Sequence, residues 1–281
     1  MKSIASPILI QQIMDAISSH YESSEARAIA FRCLDLGWNL SSMDIILKKE
    51  VELPADWESR LACLAAGEPL QYVMGKTYFR DHLFQVSADT LIPRPETEEL
   101  VDLVLSHAPE NASVLDVGTG SGCIPISLKL ERPSLVVEAW DISSGALEMA
   151  RLNANTLKAE VEFKQQDIFS WPSSKGSWDV IVSNPPYVTE EEKKEMANHV
   201  LDFEPHLALF VPNDDALKYY EALAELAMER LCHLGYLCLE INQYFGTQTV
   251  ELLFSKGFQE VKLFQDFKGN DRMIVAQKSG L

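Results

Sequence analysis

Four consecutive residues, Asn184, Pro185, Pro186 and Tyr187, form the motif with the clearest chemical meaning. They follow the apolar run 178–183, which is typical of a buried parallel strand, and open α/β sheets bind ligands where such strands end. The two prolines remove two backbone donors, so this corner offers mainly hydrogen-bond acceptors. The Asn184 oxygen and a neighbouring carbonyl could receive both hydrogens of one planar NH2 group, with Tyr187 over its flat face. Taken alone, the motif also fits a proline turn without chemistry.

A glycine-rich turn follows the earlier strand-like run VLDV at 114–117 and opens a helix. Glycine adopts positive φ readily and lets the backbone approach a ligand closely. Gly118, Gly120 and Gly122 have the spacing G-x-G-x-G, whereas the dinucleotide fingerprint G-x-G-x-x-G needs its last glycine where Cys123 stands. The spacing therefore disfavours a bound pyrophosphate and favours an S-adenosylmethionine site.

Two acids follow the next two strand-like segments. Asp141 ends the run 135–140, where a carboxylate can accept hydrogen bonds from both ribose hydroxyls. Asp167 follows 161–166 beside apolar side chains, and could face an adenine amino group. Each acid alone is also typical of a solvated loop or a helix cap. The glycine turn, the two acids and the proline motif fall in order on four successive strand ends, which together predict one ligand site.

Bulk composition limits the classes of function. The chain has no uninterrupted apolar stretch long enough to cross a bilayer and no signal-peptide pattern at 1–20, so we expect a cytoplasmic protein without membrane contact. Its five cysteines include no C-x-x-C pair, and its six histidines have no metal-ligand spacing; we expect reduced thiols and no metal. A formal net charge of -18 disfavours direct nucleic-acid binding and suits a small molecule or a basic protein partner.

The order of the predicted elements divides the chain in three. Only helix signals occur from 7 to about 73, which predicts a small all-α bundle over residues 1–75. A β-hairpin linker is expected over 76–93. In the remainder, 94–281, seven strand-like runs alternate with helices, which predicts an α/β fold with a doubly wound, mostly parallel sheet. The last connection lacks a helical pattern, so the final strand is expected to return antiparallel.

These segments together resemble the class I, Rossmann-like methyltransferases that modify a glutamine side-chain nitrogen, of the HemK/PrmC type. The resemblance covers essentially the whole chain. It rests on EPLQYVMG, LIPRPETEELV, DVGTGSG, QDIF, SNPPYV, EINQ and GNDRMI. DVGTGSG is shared by many methyltransferases and N-P-P-Y by enzymes that methylate adenine in DNA, whereas IPRPETE is far more specific. Relatives that act on a ribosomal-protein glutamine carry a different segment in place of IPRPETE.

The resemblance implies methyl transfer from S-adenosylmethionine to the glutamine of a Gly-Gly-Gln loop in peptide chain release factors, by a monomer whose helical bundle recognises the substrate. Asn184 and the Pro185 carbonyl would hold the substrate amide and act in catalysis with Tyr187, and Pro186 would complete the substrate site. The implied cofactor-binding residues are Asp116, Gly118, Thr119, Gly120, Gly122, Asp141, Ile142, Asp167, Ile168 and Asn184.

Two positions carry separate expectations. The PRPETE segment is on physical grounds a plain helix start, but the resemblance places it at the lip of the active site, with Arg94 and Glu98 as the residues to test. Asn242 stands where the family often has glycine, and we expect this departure to affect the local turn without involving the site residues.

Two other classes of function stay open at this stage. An amino methyltransferase of nucleic acid would use the same motif for adenine, but it would have to flip the base and has no target-reading domain here. A non-catalytic cofactor-binding scaffold would not need an intact N-P-P-Y. A glutamine methyltransferase acting on a ribosomal protein is the third alternative.

Overall fold

The computed structural model describes residues 3–171 and 177–280. Its internal contacts divide the chain into two compact units. The first comprises Met1–Thr77, Val86–Ala88 and Ala197–Phe203, and the second comprises Tyr78–Gln85, Asp89–Met196 and Glu204–Leu281.

The helices and strands follow one another in this order: β1 Ser3–Ala5, α1 Ser6–Ile17, α2 Ser23–Trp38, α3 Ser42–Ile46, β2 Glu50–Glu52, α4 Trp57–Ala65, α5 Leu70–Met74, β3 Lys76–Phe79, β4 His82–Gln85, α6 Pro95–His107, β5 Ser113–Val117, α7 Cys123–Glu131, β6 Val136–Asp141, α8 Ser144–Leu157, β7 Val161–Gln165, β8 Trp178–Ser183, β9 Val188–Thr189, α9 Asn198–Phe203, β10 Phe210–Val211, α10 Lys218–Arg230, β11 Leu231–Glu240, α11 Gly246–Ser255, β12 Phe258–Gln265 and β13 Asp271–Lys278. Short 3-10 helices occupy Glu192–Glu195, His206–Ala208 and Asn213–Asp215.

The first unit is built mainly from α1 to α5. Apolar side chains at helical spacing, among them Leu9, Ile13 and Ile17 of α1, are almost completely buried in its core. One feature differs from the all-helical prediction: β1 and β2 pair antiparallel, with Ile4 opposite Val51. Strands of three residues are too short for an alternating pattern to stand out in the sequence, which is why this ribbon was missed.

The second unit contains a seven-stranded sheet in the order β12-β13-β11-β8-β5-β6-β7. β5, β6, β7, β8 and β11 run parallel, and β13 lies antiparallel between β11 and β12. The predicted α/β sheet with an antiparallel final strand is therefore confirmed. Alternate strand residues face opposite sides: Val114 and Val180 pack with α6 and α7, whereas Leu115 and Ile181 pack with α10 and α11.

The topology creates a crevice beside β5. From β5 the chain continues to β6 and β7 on one side, then returns to β8 on the other. Helices that leave neighbouring strands in opposite directions open a gap at the carboxyl ends of those strands.

In the described part of the chain, no helix is long and apolar enough to cross a membrane.

Candidate active site

The proline motif and the glycine turn lie on opposite sides of this crevice. Val117 at the end of β5 is the register partner of Ser183 at the end of β8, so Gly118 and Asn184 leave the sheet side by side. The Ser183 hydroxyl donates to the Val117 carbonyl at 2.7 Å, which holds the two strand ends together. The structure thus brings together two motifs that are 66 residues apart in sequence.

The glycine turn has a conformation and an opening suited to a ligand. Gly118 and Gly120 have φ values of +77° and +53°, and a Cβ atom added to either would meet no atom within 4 Å. Positive φ accounts for glycine at both positions, and the open space lets a ligand reach the backbone. Gly122 differs because its Cβ would lie 2.8 Å from Ile126 Cδ1, so this glycine serves helix packing.

Three buried polar side chains in and before this turn lack partners. Among residues 3–171 and 177–280, neither carboxylate oxygen of Asp116 nor the hydroxyls of Thr119 and Ser121 have a hydrogen-bond partner. Buried polar atoms are normally satisfied, so a group of this size fits a ligand that carries hydrogen-bond donors. Burial raises the pKa of Asp116 to about 7; the nearby Thr119 hydroxyl, although it forms no regular hydrogen bond, lowers it, and the charge of Asp141 raises it further.

Asp141 connects the second strand end to the glycine turn. Its Oδ2 accepts from the Gly120 amide at 2.8 Å and its Oδ1 from the Ser143 amide at 2.9 Å. Burial raises the pKa of Asp141, and these amide donors oppose the increase. Each oxygen still has a free lone pair, as two vicinal hydroxyls would need. The next residue, Ile142, is 47% exposed and presents an apolar side chain at the same edge.

The third strand end forms a mixed polar and apolar surface. Asp167 Oδ1 accepts from the Phe169 amide at 2.9 Å, which shapes the turn after β7. Ile168 is buried, whereas Phe169 is 48% exposed with its ring centroid 5.2 Å from that of Tyr219. An exposed aromatic ring beside a carboxylate suits a flat, amino-bearing ring.

Asn184 is linked to a buried carboxylate through Thr97 of α6. Asn184 Nδ2 donates to Thr97 Oγ1 at 3.2 Å, and the Thr97 hydroxyl donates to Glu240 Oε2 at 2.7 Å. Tyr187 donates its hydroxyl to Glu240 Oε1 at 3.1 Å. Within the described part of the chain, neither Asn184 Oδ1 nor the Pro185 carbonyl accepts a hydrogen bond.

Glu240 is the electrostatic centre of this group. It ends β11 and is 1% exposed. Burial raises its pKa, while the hydrogen bonds from Thr97 and Tyr187 and the charge of Arg272 lower it. The pKa of Tyr187 is raised by burial and by the Glu240 charge, so its hydroxyl stays a donor.

Thr97 and Glu240 were not predicted as site residues. Thr97 lies inside the family-specific IPRPETE segment, and Glu240 is an acid at the end of a buried parallel strand, where ligand-binding residues collect. Those two signals could have identified them. What the sequence could not show is that the residues meet, because they are 143 positions apart.

The structure assigns other partners to Arg94 and Glu98. Arg94 pairs with the fully buried Glu204 side chain at 2.5 Å, and Glu204 also accepts from the Ile92 amide. Glu98 accepts from the Arg80 amide at 3.0 Å, at the turn of the β3–β4 hairpin. The contacts of Arg94 and Glu98 therefore hold their own segments, while Thr97, between them, reaches the motif.

The expectation for Asn242 was wrong. This side chain is buried, and its Nδ2 donates to the Tyr187 carbonyl at 2.9 Å and to the Glu192 carboxylate, while its Oδ1 accepts from the Tyr244 amide. Asn242 therefore supports the proline motif directly. Glu192 in turn accepts from both the amide and the hydroxyl of Thr189.

Comparison with known proteins agrees with this geometry. Residues 97–204 match the family model described as Methyltransferase small domain. The chain is similar to the release factor glutamine methyltransferase of Bacteroides thetaiotaomicron, with 42% identity over 272 residues that cover 95% of this chain and 98% of that protein. It is also similar to the protein of the same name from Flavobacterium psychrophilum, with 40% identity over 94% of this chain and 95% of that one.

A solved structure shows the same fold. The crystal structure of a methyltransferase from Pyrococcus furiosus superimposes with a TM-score of 0.52, covering 70% of this chain and 89% of that chain at 17% identity. The predicted Rossmann-like methyltransferase sheet is confirmed by this likeness, which concerns the fold alone. Among the described residues, no group of three or more His, Cys, Asp or Glu side chains has the arrangement of a metal site.

Proposed function

The chain belongs to the release factor glutamine methyltransferases, and we propose that Asn184 and the Pro185 carbonyl grip the side-chain amide of the substrate glutamine. The protein is an enzyme that uses S-adenosylmethionine to methylate a release-factor glutamine. One observation supports the assignment of residues: the two acceptors of the proline motif have no partner among the residues that the structure describes, and they lie at the switch point of the sheet, next to the open glycine turn.

The residues along this edge fit S-adenosylmethionine. The unpaired Asp116 carboxylate suits an ammonium group, and Thr119 and Ser121 add unpaired hydroxyls beside it. Asp141 and Ile142 are assigned to the ribose and the adenine edge, and Asp167 with Ile168 to the adenine. When bound, the sulfonium supplies an electrophilic methyl carbon.

The acceptors address the main chemical difficulty of the substrate. An amide nitrogen is a poor nucleophile because its lone pair is delocalised into the carbonyl group. Asn184 Oδ1 and the Pro185 carbonyl would each accept one hydrogen of the NH2 group, which enriches the nitrogen in electron density and favours its pyramidalisation. Their fixed positions also aim the lone pair, and such orientation can lower a barrier by up to about 7–11 kcal/mol.

The surroundings suit a transition state in which charge is dispersed. Pro185 and the half-buried Tyr187 exclude water from the motif, and Tyr187 is held by Glu240 and by Asn242. No strong base is needed before transfer, since the nitrogen becomes acidic only as it gains the methyl group. The carbonyl oxygens are therefore required for binding and orientation, and a His–Asp pair is not.

The finer identity of the substrate is part of the same proposal. We infer that the methylated residue is the glutamine of the Gly-Gly-Gln loop, that the acidic protein surface attracts basic residues of the factor, and that the enzyme acts as a cytoplasmic monomer without direct nucleic-acid contact. The helical bundle is proposed to recognise the factor; it carries a cleft of about 310 Å³ lined in part by Tyr21, Arg32 and His199.

The test is methyl transfer with defined substrates. The purified enzyme is incubated with labelled S-adenosylmethionine and a release factor, ribosomal proteins or DNA in separate reactions, followed by mass spectrometry of the Gly-Gly-Gln peptide. We expect the methyl group on that glutamine alone. Label on a ribosomal protein or DNA in preference to the factor would overturn the substrate assignment.

A variant tests the proposed grip on the amide. Asn184→Ala should nearly abolish single-turnover transfer and leave cofactor binding intact, because Asn184 holds the substrate amide. Asn155→Ala, at an exposed asparagine of α8, is the matched control and should be fully active. Unchanged turnover in Asn184→Ala would refute the role of the motif.

A further inference from the structure

We propose that Thr97 and Glu240 are positioning residues that decide which atom of the Asn184 side-chain amide faces the substrate. This inference rests on the proposed function, in which Asn184 Oδ1 accepts a hydrogen bond from the glutamine NH2 group. The oxygen and nitrogen of an asparagine amide are nearly equal in size, so shape alone does not select one orientation. The selection must come from hydrogen bonding.

The direction of the hydrogen bonds can be followed outward from Glu240. An ionised carboxylate only accepts, so both hydroxyls that touch it, those of Thr97 at 2.7 Å and Tyr187 at 3.1 Å, must donate. Thr97 has a single hydroxyl hydrogen, which it donates to Glu240. Its oxygen can then only accept from Asn184, and Asn184 must turn Nδ2 toward it, which agrees with the 3.2 Å distance between Nδ2 and Thr97 Oγ1.

The opposite amide orientation is disfavoured for the same reason. It would place Asn184 Oδ1 against Thr97 Oγ1, with two lone pairs facing each other and no hydrogen between them. It would also present an NH2 group to the NH2 group of the substrate. Both groups would donate, and Asn184 could no longer accept a hydrogen bond from the substrate. A carboxylate two hydrogen bonds away thus sets Asn184 as an acceptor.

Burial protects the hydrogen bond between Thr97 and Glu240 from competition by water. Glu240 is 1% exposed and Thr97 is 3% exposed, so water does not compete readily for either group. The charged and titratable groups that face Glu240 are Tyr187, Tyr220, Cys123, Arg272 and Glu96. Arg272 opposes the cost of the buried charge, and it is itself held by Asp266 at 3.2 Å.

Thr97→Val and Thr97→Ser separate hydrogen bonding from packing. Valine keeps the volume of threonine and removes the hydroxyl, whereas serine keeps the hydroxyl and removes a methyl group. We expect Thr97→Val to lower kcat by about tenfold to a hundredfold, because a small misplacement of a reacting group has effects of that order. Thr97→Ser should stay within about threefold of the wild type. The Kd for S-adenosylmethionine should change less than twofold in both.

Glu240→Gln tests the origin of the polarity. Glutamine offers one acceptor and one donor where glutamate offers two acceptors, so it no longer fixes the Thr97 hydroxyl as a donor and Asn184 Nδ2 as its partner. We expect kcat to fall about as far as in Thr97→Val. The wild-type kcat should decline toward acid pH, because protonated Glu240 becomes a donor, and this decline should be absent in Glu240→Gln. If Glu240→Gln fails to fold, the comparison of Thr97→Val with Thr97→Ser tests the proposal without it.

The outcomes distinguish this inference from the proposed function. If Asn184→Ala is inactive but Thr97→Val has the kcat of the wild type, the positioning role is overturned and the proposed function stays intact. Equal losses in Thr97→Ser and Thr97→Val would show a packing role and would also overturn it. Full activity of Asn184→Ala would instead remove the proposed function itself.

Discussion

Replacing Asp116 by asparagine should stabilise the cofactor-free enzyme at alkaline pH. Asp116 is fully buried with both oxygens unpaired, and its pKa is raised from 3.8 to about 7. A raised acid pKa means that the native state binds the proton more tightly than the unfolded state, so stability falls as pH rises from about 4 to about 7. Asparagine carries no charge and abolishes this dependence.

The shift sets the magnitude of the effect. Between pH 5 and the folded-state pKa of about 7, the wild type should lose about 2 kcal/mol more than Asp116→Asn, because the slope of about 1.4 kcal/mol per pH unit halves as the pH reaches that pKa. Above pH 7 the full cost of the charge is about 4 kcal/mol. An unpaired asparagine amide retains a penalty of about 1–3 kcal/mol, so the net gain at pH 8 should be about 1–3 kcal/mol.

Urea unfolding of the cofactor-free proteins at pH 5 and pH 8 measures this difference. Asp214→Asn, at an exposed acid, controls for the change in net charge. S-adenosylmethionine should reverse the order, because the wild-type carboxylate can pair with the ammonium group; we expect its affinity to drop in Asp116→Asn by about 1.5–3 kcal/mol. If the stability of both proteins depended on pH in the same way, the raised pKa of a buried, unsatisfied Asp116 carboxylate would be refuted.

Four further substitutions have defined outcomes. Asp141→Ala should weaken S-adenosylmethionine binding in calorimetric titration by at least about 1.5–3 kcal/mol, because it removes charged hydrogen bonds and the support of the Gly120 amide; equal affinity would contradict the ribose assignment. Gly120→Ala should cost about 1–2 kcal/mol of stability from its positive φ and occupy ligand space, whereas Gly122→Ala should mainly impair folding; thermal melts with and without cofactor separate the two. Asn242→Gly should lower the free energy of unfolding by about 1–2 kcal/mol through loss of its bond to Tyr187, and a Tm equal to the wild type would show that this bond contributes nothing.

The sequence was sufficient to predict the sheet and to predict that each candidate site segment follows one of its strands. Buried parallel strands are continuous apolar runs, and the residues that follow them collect at one edge, so Gly118, Asp141, Asp167 and Asn184 could be placed from pattern alone. The glycine spacing likewise reflects a local backbone requirement, positive φ. These features depend on residues close in sequence.

Only the tertiary structure decided which residues at that edge are joined by hydrogen bonds. The bonds from Thr97 to Glu240 and from Asn242 to Tyr187 join positions 143 and 55 residues apart, and no local pattern specifies such pairs. The unpaired state of Asp116 is equally invisible in sequence, because an acid after an apolar run looks the same whether solvated or buried. Hydrogen-bond direction and desolvation belong to three-dimensional surroundings, and they determine which of the predicted residues can accept, donate or bind a charge.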